Sequence, residues 1–255
     1  MRRVVEPERL DALPPADPRA VGSRGDLRRL NFIMGHAGIL SRAFRQPFTE
    51  ASSRSQPLRL VELGAGDGTL LLRLARRCSA LGVTAQGTLV DRQNLVSAET
   101  RRAFNALNWS VESVTTDVFT WLEQSSPVVD VMFANLFLHH FPDQSLVALL
   151  RLAAARTNRF IACEPRRSPF ALTASRLLWL IGCNGITRHD APVSVRAGFV
   201  GHELSALWPA DSQWQFRRGQ SMAVPRTIRR PFQPLLHCRT PWLTRSPSWG
   251  VAWPA

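Results

Sequence analysis

The sequence predicts an α/β protein, a mostly parallel, doubly wound sheet with helices on both faces. Three observations carry that expectation. From residue 58 onward, short apolar runs alternate with longer segments of helical period, the pattern of strands joined by crossover helices. The first run, "LRLVELGAGDG", meets glycines at alternate positions, Gly64, Gly66 and Gly68, just before a leucine-rich segment. A backbone that bare, between a buried strand and a helix, lets a ligand approach the helix N-terminus. The chain has 255 residues and 45% hydrophobic content, enough for one domain with a sizeable core.

The elements follow in order. Residues 1–22 are rich in proline and charge and are expected to be extended. Apolar residues at 27, 30, 34, 37, 40 and 44 then have helical spacing. Ser23 with Asp26 resembles a capping box with Asp in place of Glu, so a lid helix over 26–44 leads into the body. Pro47 and "ASSRSQP" read as a connector. A strand at 58–63 precedes the glycines and a helix over 69–81. "AQGTLVD" is a second strand ending at Asp91, and a helix follows over 93–106. A third strand at 109–114 runs into "TTDVF" and a short helix. Pro127 precedes "VVDVMFAN", the fourth strand. "DQSLVALLRLAAART" is a helix with Asp143 as N-cap, and "RFIACEP" is the fifth strand. Ser168 and Pro169 open a further helix as N-cap and N1, with Gly182 suited to its C′ position. "HELSALWP" is a short helix and "WQFRRG" a sixth strand.

After Gly219 the composition changes. The remainder is rich in proline and arginine, with no acidic residue and no periodicity. "SMAVPRTI" is its one candidate strand, and Pro225 in the middle removes a ladder donor. The expectation is an incomplete last hairpin and a disordered or replaced terminus over 219–255. A native arginine-rich tail that binds RNA or a partner is the other reading. The chain thus divides into an N-terminal extension and lid helix over 1–50, a main domain over 51–218, and the tail.

The net charge of +13 suggests nucleic acid or an anionic surface. That reading weakens because every basic residue is arginine and tyrosine is also absent, which points partly to genomic base composition. Seven arginines and no acid lie between Ser212 and Ala255, so the body is only mildly basic. The four cysteines are far apart and form no C-x-x-C pair, so neither a metal site nor a disulfide framework is expected. No apolar core of signal-peptide length opens the chain. No run reaches the ~18 apolar residues of a membrane span; the nearest, "FALTASRLLWLIG", is interrupted by Arg176. A cytoplasmic protein without a membrane span is expected.

The glycine spacing narrows the ligand. A dinucleotide loop reads G-x-G-x-x-G, whereas here it is G-x-G-x-G preceded by Glu62. A carboxylate at the strand end is poorly placed for a pyrophosphate and suits a ligand with positive charge. No G-x-x-x-x-G-K-[ST] occurs. A buried turn without a ligand is the plain structural alternative.

In these motifs the chain resembles the class I S-adenosylmethionine-dependent methyltransferases over residues 58–216. "VELGAGDG" is similar to their first motif, Asp91 ends the second strand, "TTDVF" follows the third and "FANLFLHHF" the fourth. The resemblance implies a Rossmann-like sheet of that type and S-adenosylmethionine as cofactor. It implies that Glu62 sits near the donor's methionine ammonium, beside Gly64, Gly66 and Gly68. Asp91 would accept from both ribose hydroxyls, and Asp117 from the adenine amino group with the Val118 backbone on the ring. Asn135 and Leu136 would line the methyl donor. Asp91 as a helix cap and Asp117 as a turn residue are the structural alternatives.

An oxygen or carbon acceptor usually also needs a base within hydrogen-bond reach. His140 is the first candidate because it lies nearest the donor motif. His189, in "TRHD", is the second, expected in a loop covering the site, and Glu164 after the fifth strand is the third. Each histidine also has a structural reading. The [DN]-P-P-[FY] run typical of nucleobase amino methyltransferases is replaced by "NLFL", so nucleic acid is not the expected partner. Residues 164–208 look similar to the acceptor-side insertion of quinone and aromatic-polyketide methyltransferases. Arg166, Arg188 and Arg196 would there meet an acidic or phenolate substrate, or would simply be surface arginines. The expected activity is methyl transfer to a small phenolic, quinol or polyketide-like acceptor. An RNA or protein methyltransferase and an inactive methyltransferase-like binding protein are the alternatives.

Overall fold

The computed structural model describes residues 1–124 and 128–209, together with the backbone of strands 215–218 and 223–229. Two helices come first, α1 (Pro18–Ile33) and α2 (His36–Ser52). Then β1 (Leu58–Leu63), α3 (Thr69–Cys78), β2 (Ala85–Asp91), α4 (Ala98–Asn105), β3 (Trp109–Thr115), α5 (Val118–Gln124), β4 (Val131–Asn135), α6 (Asp143–Arg156) and β5 (Arg159–Pro165) alternate. Three further helices, α7 (Pro169–Arg176), α8 (Gly185–Ala197) and α9 (Glu203–Ala206), precede β6 (Gln215–Arg218) and β7 (Ala223–Arg229). The sheet order is β3-β2-β1-β4-β5-β7-β6. β1 to β5 are parallel and β7 is antiparallel to both of its neighbours.

Strand periodicity builds the two core layers. In β1, Leu58 and Leu60 face one cluster and Val61 and Leu63 face the other, because successive side chains of a strand point to opposite faces. The first layer holds Leu40, Phe44 and Phe48 of α2 against Phe133 and Trp109. The second packs Leu146, Leu149 and Leu150 of α6 against Met132 and Phe160.

Several expectations need correction. The lid helix is two helices rather than one. Asp17 caps α1 by accepting from the Arg19 N–H at 2.8 Å, with Pro18 at the first helical position. Ser23 is therefore internal and buried, 2.8 Å from the Thr187 hydroxyl. Gly35, at φ +67°, breaks the helix where the apolar spacing runs on without interruption. Pro47 lies inside α2, not in a connector. The packing of Phe44, Phe48 and Ala51 on the sheet outweighs its missing N–H. The segment "TRHD" belongs to α8 and is not a loop.

The last two strands also pair, against the expectation of an incomplete hairpin. β7 pairs with β5 from Arg159↔Arg229 to Pro165↔Ala223, so the fifth strand has no open edge there. Pro225 is opposite Cys163. It lies one residue beyond the last described β6 pair, Arg218↔Arg226, where the strand is close to the end of that pairing. Proline is tolerated at such a margin. The expectations for 219–222 and 230–255 concern residues outside the described ones.

Candidate functional site

Strand order reverses between β1 and β4. Ligands of doubly wound sheets bind beyond the carboxyl ends of the strands at that point, and here a cavity of about 850 Å³ opens. Its walls are the turns that follow β1, β2, β3 and β4, one face of α1, and the N-terminal segment around residues 5–11.

The turn after β1 requires glycine. Gly64 has φ +67°, and a Cβ there would lie 2.2 Å from the Phe137 ring. Gly66, at φ +56°, would meet nothing within 4 Å, so it presents bare backbone to the cavity. Its N–H donates to Asp91 Oδ2 at 2.8 Å, and Asp91 Oδ1 accepts from the Gln93 N–H at 2.9 Å. Asp91 thus ties the first two turns together. Gly68 is the N-cap of α3 and stands off the cavity wall. Asp117 caps α5 by accepting from the Phe119 N–H at 2.9 Å, and with Val118 it lines the cavity.

Two acceptors are left without partners. Glu62 is buried at the end of β1 and Asn135 at the end of β4. Glu62 Oε2 and Asn135 Oδ1 receive no hydrogen bond, and both residues line the cavity. Unsatisfied buried acceptors are costly in a folded protein; together these two suit a ligand that brings N–H donors. Burial, reinforced by the nearby carboxylates Asp67 and Asp91, pushes the Glu62 carboxyl well above the usual range. A cationic ligand would reverse that shift.

The turn after β4 is held in a strained form. Leu136 lines the cavity at φ +52°, a region that non-glycine residues seldom adopt. Its N–H donates to the Cys163 carbonyl at 2.9 Å. Buried Glu164 accepts from the N–H groups of Phe137, Leu138 and His139 at 3.1, 2.9 and 3.3 Å. His139 Nδ1 is 2.8 Å from Glu164 Oε2, and its Nε2 is 3.4 Å from Glu8 Oε1. Burial lowers the His139 pKa, but the bonds to Glu164 and Glu8 outweigh it and raise it to about 9. His139 is therefore held as an imidazolium between two carboxylates.

The proposed bases are placed differently. His140 lines the cavity, with Nδ1 3.3 Å from Asp11 Oδ2. Glu164 is behind the wall, its oxygens turned to backbone N–H groups. His189 is on α8, away from the cavity, with Nδ1 2.7 Å from Asp190 Oδ1. Arg166, Arg188 and Arg196 are also off the wall, and Arg196 pairs with Glu6 at 3.1 Å. The arginines that do line it are Arg24, Arg28 and Arg92.

The N-terminal segment is a strap across the site. The Arg9 and Leu10 N–H groups donate to Asp190 at 3.0 and 2.9 Å, and Glu8 accepts from Ser194. Arg3 donates to the Ala197 carbonyl at 2.8 Å and to the Phe141 carbonyl at 2.9 Å. Sequence reasoning missed Glu8 and Asp11 because an aperiodic, proline-rich segment carries no local sign of where it folds back.

A doubly wound sheet closed by an antiparallel β7, with a carboxylate and a glycine turn after β1 and an acid after β2, defines the class I methyltransferase fold. Residues 60–159 match a family model described as a methyltransferase domain. Over those residues the chain carries a methyltransferase domain. Among solved structures, the plantazolicin methyltransferase BpumL in complex with SAH is similar at a TM-score of 0.60 and 13% identity, covering 84% of this chain and 91% of that one. BamL, solved with a triazolic desmethylPZN analog and SAH, gives 0.59 at 14% identity over 87% and 92%. The mitomycin 7-O-methyltransferase MmcR gives 0.52 at 19% identity, covering 87% of this chain and 60% of that one. At such identities the likeness is one of fold. No curated protein matches the chain.

Proposed function

We propose that this protein transfers a methyl group from S-adenosylmethionine to an oxygen or carbon of a small phenolic, quinol or polyketide-like acceptor. The observation that carries the reading is the histidine on the cavity wall. His140 has Nδ1 against Asp11, which leaves Nε2 to take a proton from an acceptor hydroxyl. The strap closes over part of the cavity, which favours a small molecule over a polymer. The O-methyltransferase MmcR and the plantazolicin enzymes, which share the fold, support a natural-product acceptor.

The donor supplies a methyl group on a sulfonium. Glu62 and Asn135 would offer their unpaired oxygens to its ammonium, Asp91 would accept from the ribose hydroxyls, and the Gly64–Gly66 turn would admit it closely. Asp117 and the Val118 backbone, both on the cavity wall, would hold the adenine. The chain's work is alignment and exclusion of water. His140 would take the acceptor proton as the methyl group is transferred. Incubation with S-adenosylmethionine and a panel of phenols and quinols should give products heavier by one methylene, read by mass spectrometry. Methylation of total RNA alone would overturn the reading.

Donor binding should also depend on pH with a defined sign. In the free protein the Glu62 carboxyl retains its proton to higher pH than usual. An ammonium placed beside it lowers that pKa, so binding releases a proton and affinity rises with pH. Calorimetry in buffers of different ionisation enthalpy should show proton release on binding S-adenosylhomocysteine, and Glu62→Gln should abolish it. Release that persists in the variant would assign the proton elsewhere.

A further inference from the structure

The apolar run ending in "LLWLIG" is not absorbed by the site. Leu177, Trp179, Leu180 and Ile181 follow α7, and Trp179 and Leu180 are 55% and 62% exposed. Phe32, Ile33 and Met34, at the end of α1, are exposed too, Phe32 at 73%. The two segments are joined where Arg29 Nη1 donates to the Ile181 carbonyl at 3.5 Å. Isolated exposed apolar residues are ordinary, but a cluster of this size on neighbouring elements marks an interaction surface.

Its rim is cationic. Arg28, Arg29 and Arg73 line a groove with Phe32 and Ile33, and the Arg73 guanidinium lies 5.9 Å from the Phe32 ring centre. Arg176 adds an exposed charge beside Leu177. From Arg166 to His189 the sequence has no acidic residue. The acids that do pair with the rim are recessed. Asp26 and Asp67 are 7% and 24% exposed in their side chains, whereas their partners Arg29 and Arg28 are 55% and 47% exposed.

We propose that this face docks on an anionic lipid surface, with Phe32, Trp179 and Leu180 entering the headgroup region and the arginines meeting lipid phosphates. Exposed apolar side chains that include a tryptophan, with arginines on the same elements, match such an interface. A second copy of the chain is a poor occupant, because a symmetric contact sets arginine against arginine with no exposed acid between them. The C-terminal residues from Ser212 onward have arginines and no acid, so they share that mismatch. A nucleic acid would meet the arginines but leave the apolar side chains unpaired. Arg28 lines both this groove and the cavity, so docking places the cavity beside the membrane.

Sedimentation of the full chain with vesicles tests the surface without using turnover, so its failure leaves the methyl-transfer reading standing. The protein should pellet with vesicles of phosphatidylglycerol and phosphatidylcholine and remain in solution with phosphatidylcholine alone. Phe32→Ser with Trp179→Ser and Leu180→Ser should weaken partition by more than about tenfold, with melting temperature and S-adenosylhomocysteine affinity unchanged. Arg73→Glu with Arg176→Glu should weaken it as well. No pelleting with the mixed vesicles would overturn the proposal. Equal pelleting of the apolar variant would do the same, leaving only diffuse charge attraction. A concentration-dependent dimer that the apolar variant abolishes would assign the face to self-association instead.

Discussion

His140→Ala should lower the methyl-transfer rate by roughly 10²–10⁴ while leaving donor affinity nearly unchanged. The ring lies on the cavity wall, and its Asp11 contact engages Nδ1. Removing it deletes the proton acceptor without touching Glu62, Asp91 or the glycine turn. Single-turnover measurement with saturating donor isolates the chemical step, and calorimetry with S-adenosylhomocysteine checks binding. Asp11→Asn should fall between the variant and the wild type, because the amide still orients the ring but stabilises its cation less. Raising the pH should restore part of the His140→Ala rate for a phenolic acceptor, since the phenolate needs no base. A full rate in His140→Ala at neutral pH would remove this residue from the mechanism. His139 is a weak substitute, because its two carboxylate partners already hold it protonated.

Asp91→Ala should weaken S-adenosylhomocysteine binding by roughly ten- to a hundredfold. Loss of hydrogen bonds to a charged group costs about 1.5–3 kcal/mol, and every 1.4 kcal/mol or so is a factor of ten. Two effects act together. On the proposed reading the ribose hydroxyls would lose their acceptor, and the Gly66 N–H loses the carboxylate that fixes the turn. Asp91→Asn keeps one acceptor and should recover part of the affinity. Unchanged affinity in Asp91→Ala, with the protein folded, would remove the carboxylate from the donor site.

The strands and their glycine turn were legible because each is a local pattern: alternation in β1, an unbroken apolar run in β4, glycine where φ turns positive. Glu62 was legible for the same reason, since its position at a strand end is set by neighbours in the chain. Two other features were not. Gly35 splits the lid helix although the apolar spacing continues through it, because a left-handed residue between two helices leaves the periodicity intact. β7 was misread because Pro225 looks internal in one dimension. Only the pairing shows that the last described β6 pair, Arg218↔Arg226, lies one residue from it. The Asp11–His140 contact and the Glu8–His139–Glu164 chain join residues far apart in sequence. No spacing rule reaches across such distances.

The strap has a consequence for the order in which the protein assembles. Its contacts bridge long stretches of chain, 181 residues for Arg9 to Asp190 and 194 for Arg3 to Ala197. Closing loops of that length carries a large entropic cost and comes late in folding. The parallel strands and the donor-side turns need none of these contacts, so they form first. The strap's part of the cavity wall is completed only when the two distant parts of the chain meet. By the same reasoning it is the first region to loosen in the native state. Amide exchange at Arg9 and Leu10 should then run ahead of exchange in β1 and β4, the strap unzipping while the sheet stays intact.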